Sequence, residues 1–198
     1  MLLGWKVDRT AHLGHSIIAA RRVTIGAGAS IGTANMIRGL DELVMGEEST
    51  ISFFNWISGP PSGSGAFKHS PNRRPALVMG RGAAISGRHI IDCSDTVTFG
   101  DFASMGGWRS VIFTHSVDLI RNRQRCTPVT IGERAAILTN VVLLAGTSVA
   151  PRSIVSAGSV VNTPLTAEHT FYRGNPAVAV RTLPETLGYF VRTSPHVD

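Results

Sequence analysis

Apolar residues recur at every sixth position along almost the whole chain. The series opens at Val7, Leu13, Ala19, Ile25, Ile31 and Ile37, steps by eight to Met45, and continues through Ile51 and Ile57. It resumes at Met79, Ile85 and Ile91, steps by eight to Phe99, Met105 and Val111, then runs Ile131, Ile137, Leu143, Val149, Val155 and Val161. A six-residue period fits neither the 3.6-residue turn of an α-helix nor the simple alternation of a half-buried strand. Glycine follows the anchor in Ile25-Gly26, Ile31-Gly32 and Ile131-Gly132, as expected of short strands joined by tight corners. Three such sides close one triangular coil. Stacked coils then pair their strands in parallel, about 4.8 Å apart. Val-Thr-Ile-Gly at 23–26 and 129–132, Leu-Val-Met-Gly at 43–46 and 77–80, and Val-Thr-Phe-Gly at 97–100 mark one point on successive coils. The pattern therefore predicts an all-β parallel β-helix of about seven coils over residues 1–167, with a C-terminal extension, 168–198, packed on it.

Sorting the anchors by side concentrates every irregularity at one edge of the prism. Both steps of eight fall between the third side and the next first side. So do two insertions, a Pro/Gly/Ser-rich stretch within 58–76 and an Arg-rich stretch within 118–128. Long loops held by a rigid scaffold are where binding and chemistry concentrate. Asp41, Asp95 and His115 lie at this edge, each four residues beyond a third-side anchor. Equivalent positions on consecutive coils bring Asp95 within hydrogen-bonding reach of His115. An imidazole oriented by a carboxylate is a general-base arrangement.

Composition narrows the partners. The net charge of +6 comes from 19 cations against 13 acidic groups, and all the cations but Lys6 and Lys68 are arginines, whose planar forks suit phosphates and carboxylates. An anionic ligand is expected. The arginines are scattered and aromatic residues make up 7%, which argues against a nucleic-acid stacking platform. Cys93 and Cys126 have neither metal-ligand nor disulfide-framework spacing. The longest apolar run, Val141 to Ala145, is far short of the roughly twenty residues of a membrane span, and no secretory leader is apparent. A reduced, cytoplasmic protein without a membrane span is expected.

Phe-Thr-His-Ser-Val-Asp at 113–118, Pro-Val-Thr-Ile-Gly at 128–132, Ala-Gly-Ser-Val-Val at 157–161 and Gly-Asn-Pro-Ala at 174–177, ending at Arg181, resemble the hexapeptide-repeat acyltransferases, in particular their sugar O-acetyltransferases. The resemblance implies a left-handed coil, a homotrimer, and acetyl-CoA or another acyl-CoA held as co-substrate between neighbouring prisms, with no tightly bound cofactor. It makes His115 the general base. It places Ala145, Ala157 and Gly158 along the pantetheine arm, Gly174, Asn175, Pro176 and Ala177 near the nucleotide, and Arg181, with Arg152 and Arg173 as lesser candidates, at the phosphates. Val178, Ala136 and Leu138 stand where the family usually has Lys, Trp and Gly. Asp92 and Asp95 are both candidates to orient His115 or to hold an acceptor hydroxyl. Arg88, His89 and Trp108 are candidate acceptor contacts, His89 equally readable as a packed corner residue.

The expected reaction is acetyl transfer to a hydroxyl of a sugar or glycan precursor. Alternatives are N-acylation of an amino-sugar nucleotide and a non-catalytic β-helix scaffold. A metal-dependent enzyme on the same coil would need three histidine ligands, whereas only His12 and His15 are close in sequence and they lie far from the loop-bearing edge. No metal site is expected.

Overall fold

The computed structural model describes residues 4–195; His196 lies outside them. The described chain is built from strands of two to ten residues and one short helical turn, Gly188–Val191. The strands form three columns, each a face of a prism. On the first face the pairing runs Val7, Ile25, Met45, Met79, Phe99, Ile131, Val149, each residue opposite the next. On the second it runs Leu13, Ile31, Ile51, Ile85, Met105, Ile137, Val155 and on to Tyr172. All these pairings are parallel, and the sequence register holds at every anchor of both faces.

The third face departs from the predicted register at two places. Its column is Ile18, Ile37, Ile57, Ile91, Ile112, Leu143, Val161. Ile18 replaces Ala19, which is exposed, and Ile112 replaces Val111, which is only half-buried. One extra residue in the corner Gly106–Ser110, where Gly107 has φ 66°, delays the return of the chain to the face. A one-residue slip reverses which side chains point inward.

The core is the stack of anchors. From Ile31 to Val161 nearly all of them are wholly inaccessible to solvent, and each such aliphatic side chain contributes about 1.5–3 kcal/mol relative to exposure. The corner between the second and third faces is filled by a polar ladder. Asn55 donates to Asn35 Oδ1 at 2.9 Å and Asn55 Oδ1 accepts from His89 N–H at 3.0 Å. His89 Nδ1 in turn accepts from Ser110 N–H at 3.1 Å. These bonds satisfy corner backbone that a buried turn would otherwise leave unpaired.

Outward positions differ sharply between faces. The first face presents Lys6, Thr24, Val44, Val78, Thr98, Thr130 and Ser148, polar at all but two positions, whereas the third presents Ile17, Met36, Trp56, Ile90, Val111, Val142 and Val160, an unbroken apolar column. Ile17, Trp56 and Ile90 are 58%, 48% and 50% exposed. A continuous patch of this kind marks an interaction surface.

Both insertions leave the edge between the third and first faces. Residues 59–75 form a loop pinned by Arg73, which is 8% exposed and donates to the carbonyls of Pro60, Pro61 and Ser94 at 2.6, 2.8 and 3.0 Å. Asp41, 6% exposed, accepts from Ser62 N–H at 3.2 Å and so braces the same loop. The second excursion is an antiparallel β-hairpin, His115–Asp118 against Arg123–Cys126, in register His115 opposite Cys126. At the C-terminal end Thr170–Gly174 adds to the second face past residue 167, and Ala177–Thr182 pairs antiparallel with it. Phe190 is buried, and Arg192 donates to the Phe102 carbonyl at 2.5 Å, tying the last segment to the prism.

Candidate active site

The corrected register takes the histidine out of line with Asp95. With Ile91 and Ile112 as partners, Asp92 directly follows its anchor and turns out of the core, while His115 begins the hairpin three residues after its own. His115 Nδ1 lies 2.8 Å from Asp92 Oδ2. Asp92 Oδ2 also accepts from Thr114 N–H and Oγ–H, both at 2.8 Å, and Oδ1 accepts from Ser94 N–H at 3.1 Å and Oγ–H at 2.6 Å. Burial pushes this carboxyl up, but the bonds from His115, Ser94 and Thr114 together outweigh it and lower it to about 2. Asp92 is therefore ionised at neutral pH. Its hydrogen bond raises the His115 pKa above the ordinary imidazole value, against the opposing effect of partial burial.

This bond also settles the tautomer. A carboxylate accepts, so Nδ1 carries the proton, and neutral His115 has its lone pair on Nε2. Nε2 makes no hydrogen bond among the described residues, and the side chain is 35% exposed. The arrangement can remove a proton from a group brought to Nε2.

Asp95 does not occupy the predicted position. Its Oδ1 accepts from Arg74 N–H at 3.0 Å and Thr96 N–H at 2.8 Å, and its own N–H donates to Thr114 Oγ1 at 2.9 Å. It shapes the turn beneath Thr114 and does not bond His115. The shifted Ile112 anchor takes His115 out of the predicted alignment with Asp95 by one position, to the level of Ser94, and there its ring reaches the Asp92 carboxylate while backbone N–H groups hold Asp95 Oδ1.

Two aromatic rings flank His115: Phe67 from the 59–75 loop, with centroids 5.5 Å apart, and Phe113, edge-on at 6.1 Å. The loop meets the hairpin through Cys126 N–H donating to Ser70 Oγ at 2.8 Å. Between them opens a cleft of about 540 Å³ whose walls include Arg73, Asp95, Arg123, Arg125 and Cys126. Burial raises the Cys126 thiol to about 11 and pushes that of fully buried Cys93 well up. Neither is a ready thiolate nucleophile.

The remaining sequence candidates distribute over several corners. Ala145 lies on the His115 edge, two residues past Leu143. Ala157 and Gly158 lie on the corner between the second and third faces, and Gly158 has φ 73° and open space where a Cβ would stand. Gly174, Asn175, Pro176 and Ala177 make the turn joining the last two strands, anchored by Gly174 N–H to Ser159 Oγ at 3.1 Å. Arg181 is exposed, its guanidinium 5.3 Å from the Phe171 ring centroid. Arg152 is paired with Glu133 at 3.1 Å. Arg88 and exposed Trp108 stack at 5.0 Å, with Phe54 also beside Arg88 at 5.4 Å, one corner away from His115.

His89 is a correction. It is wholly buried, with Nδ1 accepting from Ser110 and Nε2 3.0 Å from Ser86 Oγ. Burial lowers its pKa to about 4, so it is a neutral structural ring that no acceptor reaches within this chain. Conversely, Thr114, Ser94, Phe67 and Arg73 complete the site without having been singled out. Thr114 sits within the quoted Thr-His segment, while the other three carried no sequence signal. Among the described residues no group of three or more His, Cys, Asp or Glu side chains could hold a metal ion. None of the helices there is long and apolar enough to cross a membrane.

No protein-family model and no curated protein matches the chain. Solved structures do. A hexapeptide-repeat acetyltransferase of Vibrio cholerae in complex with acetyl-CoA is 28% identical over 55% of this chain and 61% of its own, with a TM-score of 0.51. The match thus spans about three fifths of that protein's length. A hexapeptide transferase family protein of Anaplasma phagocytophilum is 17% identical over 92% of this chain and 81% of its own, TM-score 0.50. LpxA of Acinetobacter baumannii, 13% identical over 90% of this chain and 72% of its own, superimposes with a TM-score of 0.60. The fold is the left-handed parallel β-helix, and the chain is similar to the hexapeptide-repeat acetyltransferases.

Proposed function

We propose that this chain, similar in fold and in part of its sequence to hexapeptide-repeat acetyltransferases, transfers an acyl group, most simply acetyl, from acyl-CoA to a hydroxyl of a sugar or glycan precursor. The observation that carries the reading is His115, fixed through Nδ1 by ionised Asp92 at 2.8 Å with Nε2 left open at the loop-bearing edge. A thioester carbonyl is already electrophilic, so the remaining tasks are alignment and proton removal. His115 Nε2 takes the hydroxyl proton as the oxygen attacks the thioester carbon. Collapse of the tetrahedral adduct expels the CoA thiolate, and the imidazolium returns the proton to sulfur. The two raised thiols, Cys93 and Cys126, support direct transfer without an acyl-cysteine.

The acyl-CoA contacts carried over from the resemblance lie on different corners of one prism, so a single chain does not gather them. A homotrimer would, by setting the His115 edge of one protomer against the Ala157–Gly158 corner of the next. The apolar outer column of the third face supports that assembly, since it neighbours the His115 edge and is uncovered in the single chain. The reading places the protein in the cytoplasm with acyl-CoA, and the two free cysteines fit a reducing compartment.

The test is thiol release from acetyl-CoA against a panel of sugars, amino sugars and nucleotide sugars. His115→Ala should lower kcat by about 10²–10⁴-fold with acetyl-CoA affinity retained. Preference for an amine would move the assignment to N-acylation. Absence of both thiol release and acetyl-CoA binding would leave a scaffold, and covalent acetyl-cysteine after incubation with acetyl-CoA alone would replace direct transfer.

A further inference from the structure

We infer that the cleft between the 59–75 loop and the hairpin is an anion subsite, so that the hydroxyl compound presented to His115 carries a carboxylate or a phosphate; this rests on the acyl-transfer reading for its reaction, but not for its binding. Three observations carry it. First, Arg73 is 8% exposed and spends its donors on the carbonyls of Pro60, Pro61 and Ser94 and on Ser64 Oγ. No carboxylate among the described residues lies within salt-bridge distance of it. Its charge is therefore uncompensated, and a partly dry wall projects that potential into the cleft.

Second, Arg123 and Arg125 are two apart on one strand of the hairpin and share a face. Both line the cleft. Arg123 makes no ion pair among the described residues. Arg125 stands 3.9 Å from Asp118, whose carboxylate is already engaged by Arg121 at 3.0 Å. Against these cations the cleft sets one carboxylate, Asp95, whose Oδ1 is occupied by two backbone N–H groups.

Third, the position is right for an acceptor. Cys126, in the cleft wall, is the register partner of His115, and Phe67 is a neighbour of both His115 and Arg73, 5.5 Å from the former ring and 5.3 Å from the latter guanidinium. A substrate in the cleft beside Phe67 can offer a hydroxyl to Nε2 and an anionic oxygen to the forks of Arg123 and Arg125.

The experiment uses glucose, glucuronate and glucose 6-phosphate as matched probes, in two readouts: ligand-observed NMR binding to the protein alone, and kcat/KM for thiol release with saturating acetyl-CoA. Within each variant the ratio of acidic to neutral probe is the measurement. The expected ratio is about tenfold or more for the wild type and several-fold smaller for Arg123→Gln/Arg125→Gln, where Arg73 alone remains, with the preference falling as salt rises. The two probes' relative strength decides between carboxylate and phosphate. Melting temperature checks the fold of the variant, whose altered side chains are exposed. Equal binding of all three probes by the wild type overturns the inference, as does a preference undiminished by the double substitution or a defect confined to acetyl-CoA affinity. Transfer to neutral sugars without anion preference would sink the subsite and leave acyl transfer standing. Arginine-dependent binding of the acidic probes with no thiol release would do the reverse.

Discussion

Replacing Asp92 by Asn removes one charge and one acceptor from a group that serves five donors: two from Ser94, two from Thr114 and one from His115. An amide has a single oxygen. If it faces the three donors at Oδ2, its NH₂ confronts Ser94 N–H; if it flips, its NH₂ confronts His115 Nδ1 and holds the ring in the tautomer that carries the proton on Nε2. The first arrangement strands a donor, at a cost of about 1–3 kcal/mol; the second disables the base. Thiol-release kinetics should show kcat/KM lower by roughly 10²–10⁴-fold. The residual activity should titrate at lower pH, because the carboxylate that raises the His115 pKa is gone. Asp95→Asn should cost much less, since its one engaged oxygen, Oδ1, can be kept by the amide oxygen.

Stability gives an independent readout. The Asp92 carboxyl falls from 3.8 to about 2 on folding, which corresponds to about 2 kcal/mol by linkage and on the order of 1–2 after solvent screening. A depressed carboxyl stabilises above its unfolded pKa and loses that contribution as pH falls from about 4 toward 2. The raised His115 pKa contributes below about 6.5 and is lost as pH rises through the folded value. The melting-temperature gap between wild type and Asp92→Asn should therefore be widest near pH 5–6, where both groups are charged, narrow as pH falls below about 4, and close only near and below about pH 2. An Asp92→Asn enzyme within threefold of wild type, or a larger loss in Asp95→Asn, would refute the assignment.

Three further outcomes are expected. Light scattering at micromolar concentration should give three times the 21.1 kDa chain mass, and Ile90→Glu, in the apolar outer column, should yield monomer; a monomeric wild type would remove the shared groove. Arg181→Gln should weaken acetyl-CoA binding about tenfold, with dephospho-CoA esters weakened as much in the wild type and no further in the variant. Gly39→Ala should destabilise by about 3 kcal/mol or more in chemical denaturation, because Gly39 has φ 76° and a Cβ there would overlap the Gly59 carbonyl oxygen of the next coil. Gly63→Ala, with φ 79° but open space, should cost only about 1 kcal/mol.

The sequence alone determined the architecture, because period six repeats a single local rule: an inward apolar residue, a small residue, a corner. On the first two faces most anchors have polar or small neighbours in the strand, and glycine follows many of them, so the pattern as a whole favours one register even beside Val44, Val78, Leu138 and Ile154. The same reading located the loop-bearing edge and His115, since insertions interrupt the period visibly. On the third face Ile17-Ile18-Ala19 and Val111-Ile112 offer adjacent apolar side chains, and either could serve as the anchor. What chose between them was the number of residues needed to turn the Gly106–Ser110 corner and still pair Ile112 with Ile91 and Leu143, a condition set by the coils on both sides. That choice took the histidine out of line with Asp95, and the side chains at the turn then brought it to Asp92. The tertiary structure likewise turned His89 inward, into a ladder with Asn55 and Ser110. It also gathered Phe67, Arg73, Arg123 and Arg125 around one cleft, for those residues lie on two loops dozens of positions apart and meet only because the rigid prism projects both from the same edge.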